Sequence, residues 1–115
     1  MAIQSFSDKA TRKPTTPGEI LQEEFLLELG ISQKRLASHI GCDIKVINRI
    51  VNNRTSVTAE MALKLASALN TSPQFWLNAQ QAVDIYNALK TVKSFPRLNN
   101  KSKLEDRTQL LSFHK

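Results

Sequence analysis

Asn48 and Arg49 stand three and four residues after Lys45, so a helix through them presents all three side chains on one side, with Ile44 beside them. An arginine or lysine in that position donates to guanine O6 and N7. An asparagine pairs through two hydrogen bonds with adenine, and an isoleucine meets the methyl group of thymine. This is the chemistry of reading base edges in a DNA groove, and it makes Ile44, Lys45, Asn48 and Arg49 the candidate readers. A second set, Ser32, Gln33, Asn52, Asn53 and Arg54, brackets the first along the chain. Helix-start amides around Ser32 and Gln33, and the polar run after the readers, suit phosphate oxygens, which fix register rather than sequence.

The readers need one helix to carry them and a second to hold it in place. Between Leu29 and Arg54 the chain reads LGISQKRLASHIGCDIKVINRIVNNR. Ser32 can accept a hydrogen bond from the free amides of a helix beginning at Gln33, whose buried stripe is Leu36, Ala37 and Ile40. Gly41 ends that helix in a left-handed turn, and after only Gly41 and Cys42 the carboxylate of Asp43 caps a second helix. Ile47, Ile50 and Val51 form its inner face and leave Ile44, Lys45, Asn48, Arg49 and Asn52 outside. Two capped helices, a tight glycine turn, a small residue at Ala37 and a buried Ile47 are the pattern of a helix-turn-helix.

The rest of the chain frames this motif. Residues 1–15 have little periodicity and read as a flexible arm. Thr16-Pro17-Gly18-Glu19 is a capping box that opens a helix, with Ile20, Leu21, Phe25, Leu26 and Leu29 on its inner side. Asn52 to Thr55 is a polar loop, Thr58 caps a fourth helix with Met61, Ala62, Leu65, Ala66 and Leu69 inward, and Ser72-Pro73 opens a fifth. That last helix carries two apolar stripes, more than one small core needs. Phe75, Trp76, Ala79, Ala82, Val83 and Tyr86 are therefore the candidate interface of a two-fold dimer, with Trp76 and Tyr86 having the alternative of serving the core alone. Residues 94–115 read as a basic tail with a weak apolar repeat at Leu104, Leu110, Leu111 and Phe113, enough for one marginal helix. The expected architecture is all-α, a five-helix domain over residues 16–93 between the arm and the tail.

At 115 residues the chain is long enough for one such core, and its net charge of +6 is unevenly spread. Residues 17–89 hold six bases against seven acids, whereas residues 90–115 hold seven bases against two. From residue 18 to 29 the charges are Glu19, Glu23, Glu24 and Glu28 alone, a surface for a basic partner; from 32 to 54 Lys34, Arg35, Lys45, Arg49 and Arg54 face only Asp43. The single Cys42 excludes an internal disulfide, and with His39 and His114 as the only histidines no ligand cluster has a recognised metal spacing, so neither metal nor cofactor is expected. No apolar run approaches the about 18–20 residues of a membrane span, and the first residues lack the apolar core of a signal peptide. The expected compartment is the cytoplasm, with no membrane partner. The sequence has no nucleophile and base pair, no spaced carboxylate dyad and no phosphate-cradling glycine loop, which argues against an enzyme.

The stretches PTTPGEILQEEFLLELGISQKRLASHIG and INRIVNNRTSVTAEMALKLASALNTSPQFWLNAQ resemble the HigA-type antitoxins of bacterial toxin-antitoxin modules. These are a branch of the xenobiotic-response-element helix-turn-helix proteins that includes virulence-associated protein I. The resemblance covers about residues 14–86, and the PGE helix start and the SPQFWLNAQ segment are its most specific parts. It implies a lambda-repressor-like five-helix fold, a homodimer formed partly through the last helix, and repression of its own operon at a palindromic double-stranded DNA operator. It also implies neutralisation of a small basic RelE-like ribonuclease toxin, for which Glu19, Glu23, Glu24 and Glu28 are then the candidate binding residues. A stand-alone repressor without a toxin partner is the open alternative. Two positions depart from the pattern: Asn53 stands where many relatives have glycine, which bears on the loop, and Val46 where they have arginine, which bears on the operator sequence.

Overall fold

The computed structural model describes residues 3–5, 12–92, 94–96 and 98 of the chain. Its body is five helices: α1 over residues 17–29, α2 Gln33–Ile40, α3 Ile44–Val51, α4 Ala59–Leu69 and α5 Pro73–Ala88. Thr16, Ser32, Thr58 and Ser72 accept from the amides of Glu19, Arg35, Met61 and Phe75, and Asp43 accepts from that of Lys45. Each cap satisfies an amide that the start of a helix leaves without an internal partner. The ends of α1 to α4 are as uniform, whereas α5 ends at Leu89 in a right-handed conformation. Gly30, Gly41, Asn53 and Asn70 all take positive φ, and the residue after each donates its amide back five residues, as in Ile31 to Leu26, Cys42 to Ala37, Arg54 to Arg49 and Thr71 to Ala66. These are Schellman closures, and at φ 59° Asn53 takes the left-handed conformation that asparagine tolerates better than most residues.

The first helix departs from simple 3.6-residue periodicity. It runs as α-helix over Pro17–Glu19, π-helix over Ile20–Leu26 and α-helix again over Leu27–Leu29. The wider i to i+5 repeat brings Leu21 and Leu26, five residues apart, onto one buried face. It also shifts the phase of the last turn of the helix. Leu29, expected inside from its spacing to Phe25, is 57% exposed, and Leu27 is 60% exposed.

Trp76, Leu21, Ile47, Ile50 and Leu65 are the largest fully enclosed side chains of a core to which all five helices contribute. Trp76 is the centre of an aromatic group with Phe25 and Phe75, at centroid distances of 5.4 and 5.1 Å. Its Nε1–H donates to Thr71 Oγ1 at 2.7 Å. With no exposed surface and a satisfied indole, Trp76 has nothing left to offer a second copy, which removes it from the expected dimer face. Gln80 of α5 accepts from the Val57 amide at 2.9 Å and so ties the last helix to the loop after α3. Gly18 of α1 abuts the end of α3. A Cβ there would run into the Ile50 carbonyl and come within 2.7 Å of Asn53 Oδ1 and 2.9 Å of the Val51 carbonyl. Outside the helical body, Ile3–Ser5 (β1) pairs antiparallel with Ser94–Pro96 (β2), Gln4 opposite Phe95. The weak repeat at Leu104, Leu110, Leu111 and Phe113 lies outside the described residues. Among the described residues no helix is long and apolar enough to cross a membrane.

Candidate nucleic-acid interface

Ile47 and Ile50 anchor α3 in the core at 0% and 2% exposure, and Leu36 and Ala37 do the same for α2. What α3 turns outward is then set by the helical repeat: Ile44, 44% exposed, with Lys45, Asn48 and Arg49. These four surround an open hollow of about 490 Å³ together with Gln33 from the start of α2 and Arg54 from the loop. Among the described residues its lining has three cations and no acid. Asp43, at the α3 cap, turns its carboxylate to the Lys45 amide at 2.8 Å.

The polar groups around it are already partly committed. Asn48 Nδ2 donates to Gln33 Oε1 at 3.2 Å, joining α3 to α2 across 15 residues of sequence. Asn52 Nδ2 donates to the Asn48 carbonyl at 2.9 Å. Ser32 Oγ accepts from the Arg35 amide at 3.0 Å, so its hydroxyl serves the helix. The amides of Gln33 and Lys34, in the first turn, are those that helix geometry leaves for an outside acceptor. The Arg54 amide donates to the Arg49 carbonyl at 2.8 Å, and this closure sets the Arg54 side chain at the mouth of the hollow. Asn53 is not with this group: it lines a second hollow with Thr16, Pro17, Gly18 and Arg54. The expected site is thus brought together at Gln33, Ile44, Lys45, Asn48, Arg49 and Arg54, while Ser32, Asn52 and Asn53 support its frame.

The Helix-turn-helix family matches residues 22–76, a span that contains α2, α3 and α4. Antitoxin HigA-1 of Vibrio cholerae serotype O1 is 42% identical over 79 residues, which are 69% of this chain and 74% of that relative. The chain belongs to the helix-turn-helix family of the HigA-type antitoxins. Two solved structures of this kind contain DNA by their descriptions. Pseudomonas aeruginosa antitoxin HigA with the higBA promoter matches with a TM-score of 0.66 and 37% identity, over 68% of this chain and 85% of that one. Antitoxin GraA in complex with its operator matches with a TM-score of 0.63 and 45% identity, over 67% and 78%. The HigA-type fold is thus common to all three, and the five helices expected from the sequence are those observed.

Two further surfaces of this HigA-type chain were expected to act. On α1, Glu23, Glu24 and Glu28 are exposed with Leu27 among them, whereas Glu19 is engaged: its carboxylate accepts from the Thr16 amide at 3.0 Å and from the Thr16 hydroxyl at 3.2 Å. On α5, Ala82 is exposed and Phe75 and Ile85 are 40% and 51% exposed, with Ala79, Val83 and Tyr86 half-buried beside them. Lys90 Nζ sits 5.0 Å from the Tyr86 ring centroid. Cys42 is half-buried in the α2–α3 turn, where burial pushes its thiol up and so away from the reactive thiolate. Sequence reasoning missed Gly18 and the link from Gln33 to Asn48. A glycine one place after an N-terminal proline was legible as a helix start, but its contact with α3 depends on a crossing that no local pattern records.

Proposed function

We propose that this chain is the antitoxin of a type II toxin-antitoxin module. As a homodimer it represses its own operon at a near-palindromic operator, and it neutralises a small basic RelE-like ribonuclease encoded beside it. The observation that carries the DNA half of this reading is the hollow on the outer face of α3, with Lys45, Arg49 and Arg54 around it and no acid among its described lining residues. Lys45 and Arg49 donate to guanine, Asn48 pairs with adenine and Ile44 meets a thymine methyl. Gln33 and Arg54 hold the backbone on either side. The promoter- and operator-bound relatives support this assignment. A dimer through the outer face of α5 sets two copies of α3 about 34–36 Å apart, one helical turn of DNA.

The toxin half rests on α1, where Glu23, Glu24 and Glu28 surround the exposed Leu27, an acidic and apolar surface suited to a basic protein. The test is growth of cells in which the small reading frame beside this gene is induced, with and without this chain. Arrest that the chain relieves supports the antitoxin reading. Arrest that persists, or growth that the neighbour never affects, leaves a dimeric repressor without a toxin.

A further inference from the structure

Helices α2 and α4 form a surface that neither base reading nor the face of α5 uses. Two open hollows, of about 290 and 180 Å³, lie along these helices and meet at His39 and Ala68. Ile40 and Ala68 line the first and Leu36 and Leu69 the second, so the floor is apolar. Leu63 stands at its edge, 60% exposed. The charge around it comes from Arg35 and Lys64, with His39 between, and there is no acid among the described lining residues. An apolar groove with a cationic rim fits a helix that carries an exposed apolar side chain between carboxylates. The chain itself has such a helix in α1. Leu27, 60% exposed, stands among the exposed Glu23, Glu24 and Glu28, and residues 18–29 contain no base.

We propose that the groove along α2 and α4 docks α1 of a second copy from a neighbouring dimer, Leu27 entering the groove while the glutamates face Arg35 and Lys64. Charge complementarity selects this occupant, since groove and helix each carry one sign of charge, and the signs are opposite. The contact joins two different surfaces. Each chain therefore offers one groove and one helix, and dimers add in a row. Dimers on neighbouring operators then raise each other's occupancy, because the second binds beside a partner already in place. Where the toxin reading of α1 also holds, a bound toxin and a neighbouring dimer exclude one another.

The test is sedimentation velocity of the full-length chain without DNA, over a concentration series at low and high salt. Wild type forms species larger than the dimer, and their dissociation constant rises about tenfold or more from roughly 0.05 to 0.5 M salt. Leu27→Ser, at a site too exposed to matter to the core, loses them. So does the chain with Glu23→Lys and Glu24→Lys, and so does the chain with Arg35→Glu and His39→Glu. An equimolar mixture of these two charge-reversed chains regains them, because the basic α1 of one meets the acidic groove of the other. That recovery, with equal thermal melting, excludes loss through unfolding. Ala82→Glu, which removes the face of α5 from assembly, still associates through the groove, so failure of the α5 dimer and failure of this contact are read separately. The proposal is overturned if wild type stays a dimer at low salt at the highest concentration, if either reversed chain keeps the larger species, or if their mixture does not regain them.

Discussion

Glu19 and Thr16 close the start of α1 reciprocally, the Thr16 hydroxyl accepting from the Glu19 amide at 3.0 Å while the carboxylate accepts from the Thr16 amide at 3.0 Å. The hydrogen bond from the Thr16 backbone to the charged carboxylate is the main cause that holds the Glu19 pKa below its ordinary value. A carboxylate lowered in the folded state stabilises it above the unfolded pKa, and that stability is lost as pH falls through the folded one. The melting temperature should therefore drop on acidification from about pH 6 to pH 3, and Glu19→Gln should show a shallower drop over the same range. An equally steep drop in the variant would place the acid sensitivity elsewhere. This cap was legible in the sequence because all its partners lie within three residues, as was the Asp43 cap of α3. The bond from Asn48 to Gln33 was not, because it spans 15 residues and exists only once α2 and α3 have crossed.

At the scale of elements, the position of α3 depends on the approach of α1. Gly18 lies against the Ile50 and Val51 carbonyls, backbone groups that cannot rotate away. Gly18→Ala should destabilise the fold by about 1–3 kcal/mol and weaken DNA binding by tilting the reading helix, as measured by denaturant titration and by operator affinity. An unchanged midpoint would show that the crossing relaxes without cost. The same helix shows where periodicity fails. Its capping box predicts the start, but the π segment over Ile20–Leu26 rotates the later residues, so Leu29 turns outward and Leu27 joins the acids of α1. Reversing charge at Glu23 and Glu24 should accordingly weaken toxin capture in a pull-down while DNA affinity holds. Toxin capture left intact by the reversal would move the contact off α1. By contrast α2, α3 and α4 follow their apolar spacing closely, because short capped helices leave little room for a change of phase.

For the whole molecule, α5 serves two surfaces that its sequence could not separate. Trp76, enclosed among Phe25 and Phe75, belongs to the core, while Ala82 and its neighbours stay outside. Trp76→Ala should cost about 3–5 kcal/mol of stability. Ala82→Glu should leave the melting curve in place and yield a monomer by sedimentation, with operator affinity reduced because one reading helix then acts alone. A dimeric Ala82→Glu would place the interface elsewhere. Burial decided this division, and burial depends on which stripe the first helix covers. In the proposed division of labour the face of α3 reads sequence while Arg54 holds the backbone. The most direct measurement is binding of the chain, Arg49→Ala and Arg54→Ala to promoter DNA and to random DNA across a salt series. Arg49→Ala should lose about 1–3 kcal/mol on the promoter alone. Arg54→Ala should weaken both DNAs alike and make the dependence on salt shallower by about one phosphate contact. Equal losses on promoter and random DNA for both variants would contradict the account.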